Sequence, residues 1–219
     1  RDLHLSIRRQ RQMCIRDRAQ TVQTLVNTID DLGMDSVALT EHGNLFSVIP
    51  YYKSAKKAGV KPIIGCEVYV AVGSRFDKKT TAEGGWGNNH LVLLAQNYTG
   101  YQNLMKLVTL GYLEGFYYRP RIDIDLLKEH SEGIICLSGC LKGEIPEKMI
   151  KGDWDGAKKA ALRFSEIFDD RFYLEVQNHG IPEEIQNIEN MGHNTKSHKK
   201  FENIGHVYFD NVEKFVKTQ

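Results

Sequence analysis

The feature that most restricts the fold is an alternation of short, almost continuously apolar runs with amphipathic helical stretches. Val22, Leu25, Val26, Ile29 and Leu32 recur at helical spacing, and Gly33 ends the run. Residues 37–40 read as a strand. A helical pattern then runs from Asn44, a candidate cap, to Ala58, with Pro50 requiring a late start or a kink. Residues 62–70 form the next strand and residues 73–89 a polar, glycine-rich loop. Residues 90–95 are again apolar. Tyr101, Leu104, Leu107 and Val108 mark a helix, residues 122–129 another, and residues 134–137 a strand. Ala157, Ala160, Ala161, Phe164 and Ile167 mark a further helix before a strand at 172–176. This α/β alternation needs crossover connections and predicts a mostly parallel sheet, its strands buried on both faces. A barrel and a doubly wound sheet both satisfy it.

The 219 residues suit one domain, and 41% hydrophobic content supplies a packed core. The formal net charge of +1 argues against gripping a phosphate backbone with a basic face. It leaves room for a compact site that handles a single phosphate through metal ions. No apolar run reaches bilayer length, and the arginine-rich start lacks an apolar signal core, so a cytoplasmic protein without a membrane partner is expected. Cys14, Cys66, Cys136 and Cys140 follow no paired zinc spacing and read as free thiols. The two ends differ from the middle. Residues 1–18 show no period and are expected to be non-native or disordered. Residues 192–219 read as a divergent, frameshifted tail, leaving 19–191 as the domain.

In parallel α/β folds, functional groups gather beyond the carboxyl ends of strands. Glu41 and His42 follow the first strand, Cys140 follows Ser138-Gly139, and His179 follows the strand at 172–176. Glu67 lies inside IIGCEVYVAV, where a bare carboxylate costs several kcal/mol to bury. It requires a cation, fixed donors or an opening to water; an edge position or a lysine ion pair satisfies it as well as a metal. Taken alone, His42 reads as a turn residue, His90 as a loop or capping residue at the start of its strand, and Cys140 as a packed small residue. Together, His, Glu, His and Cys form an N/O/S donor set suited to zinc, or to manganese if the thiol stands aside. Such ions bind phosphate and acidify water, which is the chemistry of phosphoester hydrolysis. Arg119 and Arg121 lie among aromatics in GFYYRPR. They are candidate phosphate contacts, or parts of a solvated loop with packed rings.

Six blocks, ALTEHGNLF, GVKPIIGCEVYVAVGSRF, NHLVLLAQNYTGYQNLMKLV, EGFYYRPRID, EGIICLSGCLKGEIP and FYLEVQNHGIPEE, closely resemble the N-terminal polymerase-and-histidinol-phosphatase (PHP) domain of bacterial DNA polymerase III alpha subunits. The resemblance covers residues 19–191. It implies a distorted seven-stranded (β/α) barrel, incomplete here. The family's first strand, with its His-x-His pair, is replaced by the arginine-rich start, whose QMCIRDR resembles translated sequencing-adapter sequence. The closing Thr-Asn-Asp-x-His strand has no counterpart after Met191. The resemblance further implies that His42, Glu67, His90 and Cys140 are metal ligands, for zinc or manganese. Glu41 stands where the family has aspartate, and Asp17 falls about where another family aspartate belongs. These two, with His179, are candidates for supporting the ligands.

The implied parent is a replicative DNA-directed DNA polymerase, using magnesium and carboxylates that lie outside this stretch. Its implied partners are DNA, the sliding clamp and a proofreading subunit. The domain's own implied chemistry is metal-dependent phosphoester hydrolysis in 3′-5′ proofreading. Alternatives are a non-catalytic scaffold for the polymerase core and proofreading subunit, and a stand-alone histidinol-phosphatase-like enzyme.

Overall fold

A computed structural model describes residues 21–78, 88–177 and 206–209. They fall into two compact units, one within Arg1–Leu39 and Phe46–Ile63, the other within Thr40–Leu45 and Ile64–Gln219.

The first unit holds helix α1 (Val22–Asp31), the front of strand β1 (Ser36–His42), helix α2 (Val48–Lys57) and the start of strand β2 (Lys61–Ala71). Val26 and Ile29 of α1 pack with Tyr51 and Ala55 of α2 and with Val60. Helix α2 begins at Val48, not at Asn44. That start places Pro50 in the first turn, where its missing N–H has no intrahelical partner to lose. Asn44 does not cap the helix; its side chain donates to the His42 carbonyl at 2.9 Å. The Tyr51 hydroxyl donates to the Val37 carbonyl, which fastens α2 to β1.

The second unit contains most of the sheet. Its further elements are β3 (Asn88–Ala95), α3 (Tyr98–Leu113), β4 (Arg121–Ile122), α4 (Ile124–Glu129), β5 (Ile134–Leu137), α5 (Glu144–Ile150), α6 (Trp154–Phe168), a 3-10 turn (Asp169–Arg171), β6 (Phe172–Gln177) and β7 (His206–Phe209). Strand order is β1-β2-β3-β5-β6-β7, with the two-residue β4 beside β2. Only β2–β4 and β5–β6 are parallel among the pairs with defined register; β2–β3, β3–β5 and β6–β7 are antiparallel. The sheet is therefore mixed, which corrects the expectation of a mostly parallel one. The stretch between β2 and β3 carries no helical period, and an antiparallel neighbour needs no crossover helix. Between β3 and β5 the chain does pass through α3 and α4, yet it returns antiparallel. Helices in a connection permit a parallel return without requiring it. Among the described residues the strand path is open.

The core reflects strand alternation. Cys66, Val68 and Val70 of β2 and Leu91 and Leu93 of β3 pack with Leu104 and Leu107 of α3 and Phe164 and Phe168 of α6. The intervening residues Glu67, Tyr69, His90 and Val92 belong to the other face. Cys66, Cys136 and Cys140 are free thiols. Burial pushes the Cys66 thiol up to about 12. Among the described residues, no helix is long and apolar enough to cross a membrane.

A charged network fixes the segment between α3 and α4. Arg75 pairs with Glu114 at 2.6 Å and with Asp123 at 3.1 Å, and Asp123 also caps α4 by accepting from the Leu126 N–H at 3.1 Å. Arg121 is 1% exposed, and its guanidinium donates to the carbonyls of Gly115, Arg75 and Asp77. Of the two candidate phosphate contacts, Arg121 is thus an internal strut. Every donor it directs to those three carbonyls is withdrawn from an external anion.

Burial acts to raise the Asp123 pKa, but hydrogen bonds from the Arg75 and Leu126 N–H groups and the Arg75 guanidinium outweigh it and hold it below the ordinary 3.8. The unfolded chain therefore binds the proton more readily. The stabilisation is complete above the ordinary value and is lost as pH falls through the folded one. The stability gap between the parent chain and Asp123→Asn, from urea unfolding, is expected to stay constant from neutral pH to about pH 4 and to shrink below it. A gap that already closes above about pH 5 would refute this origin.

Candidate metal centre

Three strands deliver the site. His42 is the last residue of β1, Glu67 the seventh of β2 and His90 the third of β3. The antiparallel register sets Tyr69 opposite His90 and Glu67 opposite Val92. Opposed residues share a face, so His90 lies diagonal to Glu67 and within reach of it. His90 lies near the start of its strand, which in a parallel sheet is the end away from a site at the strand carboxyl ends. In an antiparallel pair, the start of β3 lies beside the end of β2.

The two oxygens of Glu67 face different imidazoles. Oε2 is 3.3 Å from His42 Nε2, and Oε1 is hydrogen-bonded to His90 Nδ1. Side-chain exposure is 16% for Glu67, 13% for His90 and 40% for His42. Burial acts to raise the Glu67 pKa, but hydrogen bonds and charge from both imidazoles prevail and hold it at about 2. Burial likewise acts to lower that of His90, and contacts with Cys140 and Glu67 hold it up at about 9. The His90 ring is set edge-on to Tyr69, with centroids 5.1 Å apart and planes at 84°. One ligand atom from each of His42, Glu67 and His90 lies within 4.8 Å of the others. Cys140 reaches the group through His90, its Sγ 3.7 Å from Nδ1. It stands just beyond the left-handed turn at Gly139, φ +80°.

The donors fit a borderline divalent ion. Two imidazoles and one carboxylate suit zinc or manganese, and three protein donors leave coordination positions open. The half-buried carboxylate of Glu67 supplies the independent observation. It sits in an apolar strand and is satisfied by two imidazoles, side chains of a kind that can also ligate a metal.

The other expected site residues are placed differently. Glu41 is buried, and as the neighbour of His42 on a strand it leaves on the opposite side. Its carbonyl accepts from Cys66 Sγ at 3.2 Å. Arg119 is exposed, its guanidinium 5.5 Å from the Tyr69 ring. Asp17 and His179 lie outside the described residues. Two positions carry the geometry without having been singled out from the sequence. Tyr69 orients His90, and its spacing of two from Glu67 on a strand was the available signal. Gly43, φ +65°, turns the chain after His42, and its N–H donates to the Glu67 carbonyl at 2.8 Å. A Cβ there would lie 2.9 Å from both Pro120 and Tyr69.

The PHP domain family profile matches residues 4–179. The chain belongs to the PHP domain family. It is 48% identical over 168 residues to DNA polymerase III subunit alpha of Borreliella burgdorferi, covering 77% of this chain and 15% of that protein. The Thermus aquaticus subunit is 46% identical over 175 residues, covering 79% and 14%. The PHP chain thus spans about one-seventh of the length of the curated relatives it matches. Among solved structures, an amidohydrolase from Chromobacterium violaceum overlaps 42% of this chain and 28% of its own at 19% identity, with a TM-score of 0.30. Overlap at that level bears on neither activity nor mechanism.

Replacing Gly43 by alanine forces a side chain into a left-handed turn already filled by Pro120 and Tyr69. The expected loss is about 2 kcal/mol of stability in urea unfolding. Unchanged stability would show that the turn is not what holds His42 against Glu67.

Proposed function

We propose that this PHP domain is part of a replicative DNA-directed DNA polymerase and that its own chemistry is metal-assisted phosphoester hydrolysis, as a 3′-5′ exonuclease. The observation that carries the reading is Glu67, ionised in an apolar strand and flanked by two imidazoles whose ligand atoms lie within 4.8 Å. Identity of 44–48% to alpha subunits from several bacteria supports the parent. On this reading the strands belong to the distorted PHP barrel. The polymerase step, with its magnesium and carboxylates, lies elsewhere in the parent, as do the main contacts to DNA, the sliding clamp and the proofreading subunit. The compartment is cytoplasmic.

Zinc or manganese would be held by His42, Glu67 and His90, with Cys140 alongside. A bound ion would supply Lewis acidity toward a phosphoryl oxygen. The chain's own residues do the rest. Glu67 is ionised at neutral pH and needs no deprotonation to serve as a donor. His90 is oriented by Tyr69, so the donor set is ordered before anything binds. His42 is the most open of the three, which favours a substrate approach on its side.

The test is metal content by elemental analysis after loading with zinc or manganese, alongside release of 3′ nucleotides from a labelled oligonucleotide. Glu67→Ala is expected to abolish both uptake and release. Unchanged stoichiometry in that variant would reject Glu67 as a ligand. Metal uptake without nucleotide release in the parent chain would replace hydrolysis with a scaffold role.

A further inference from the structure

Five arginines lie among the described residues, and four are engaged. Arg75 pairs with Glu114 and Asp123, Arg163 with Glu144, Arg121 holds three carbonyls, and Arg171 donates to the carbonyls of Ser131 and Ile134. The Arg119 side chain makes no hydrogen bond or ion pair to any described residue, and its guanidinium lies 5.5 Å from the Tyr69 ring. That ring is in turn 5.1 Å from the His90 ring. A single aromatic residue therefore separates an uncommitted guanidinium from the candidate metal centre.

The segment that carries Arg119 is pinned on both sides and open in the middle. At one end, a Cβ on Gly115 would lie 1.8 Å from the Arg121 carbonyl oxygen, so only glycine fits. At the other, Pro120 packs against Gly43, beside His42, and the buried Arg121 fastens the next residue. Between these anchors the Tyr117 N–H donates to the Arg119 carbonyl at 3.0 Å, and Tyr118 takes φ +57°. That conformation is strained for an aromatic residue and persists only where its surroundings impose it. The result is a fixed ledge on which Tyr118 and Phe116 are 59% and 49% exposed next to Arg119.

We infer that Arg119 anchors the phosphate of a single-stranded nucleic acid entering this site, with Tyr118 and Phe116 as the stacking surface beside it. The inference rests on the phosphoesterase reading above. Its chemistry is general. A guanidinium presents several donors to a phosphate in one fixed plane, and aromatic faces accept any base. The cation–π contact with Tyr69 holds the guanidinium toward the metal centre while it waits for an anion. Arg119 is a positioning residue on this account; the metal ligands do not require it.

The test measures binding of a fluorescent, phosphorothioate-linked oligothymidylate to the full chain loaded with zinc, across a range of salt concentrations. Arg119→Ala is expected to weaken binding about tenfold and to lower the log–log salt slope by about 0.7, with zinc content unchanged. Arg119→Lys keeps the slope and loses part of the affinity. Tyr118→Gly, which suits the left-handed backbone, weakens binding about tenfold with the slope unchanged. Parental affinity and slope in Arg119→Ala would overturn the anchor while zinc uptake leaves the hydrolytic reading intact, and failure of the parent chain to bind the oligonucleotide overturns it equally. Loss of zinc uptake alongside an Arg119-dependent slope would sink the hydrolytic reading and leave the anchor standing.

Discussion

A carboxylate in the middle of an apolar strand sets the terms for everything around it. Left alone, Glu67 would be protonated or driven out toward water, because desolvation opposes its charge by several kcal/mol. Two imidazoles meet its two oxygens instead, and hold its pKa well below the ordinary value. That solution demands a particular backbone. The turn after His42 must close tightly, which Gly43 permits, and its N–H must reach the Glu67 carbonyl. β3 must run antiparallel to β2, so that its early residues stand beside the late ones of β2. An apolar residue at position 67 alone would leave His42 and His90 without their counter-charge, whereas replacing all three groups together by apolar residues is often neutral for a fold. The arrangement is better explained by what the three groups can bind together than by what they contribute to folding.

Much of this was legible in the residues, for reasons that differ from place to place. The helix at 22–31 carries a clean period with a clear stop at Gly33, and the strand at 134–137 is a short continuous apolar run. Pro50 marked a late helix start because its constraint is local. Glu67 stood out because a charge inside an apolar run conflicts with its surroundings wherever the run packs. Strand direction was not legible. Alternation of helices and strands reports that connections are long, and a long connection is compatible with either direction of return. Helix α5 escaped notice because it has seven residues and a proline in its first turn. β4 has two residues, too few for any period.

Arg119 and Arg121 show where sequence reasoning reaches its limit. They share a segment and a residue type, and nothing in their spacing separates them. Packing does. Arg121 falls where three carbonyls of neighbouring loops converge, and a guanidinium has enough donors to satisfy all three. The same burial that removes Arg121 from solvent makes it an anchor. Arg119, two residues earlier on an extended segment, is left outside. Arg121 is committed to the backbone, and Pro120 between the two arginines packs against the Gly43 turn of the candidate metal centre.

The mixed sheet then bears on how the candidate metal centre is assembled. In a purely parallel arrangement, only residues near the carboxyl ends of strands reach a common rim, and each strand offers one or two such positions. Reversing β3 adds positions from the start of a strand to the same place. His90 and its neighbour Gly139, whose Cβ would lie 3.0 Å from the His90 carbonyl oxygen, both depend on this reversal. Cys140 follows Gly139 directly, and so it too comes within reach of His90 because β3 runs against both β2 and β5. Donors drawn from both ends of strands can converge more closely than donors drawn from one. A half-buried carboxylate inside an apolar strand, as Glu67 is, gains from that convergence on both of its oxygens.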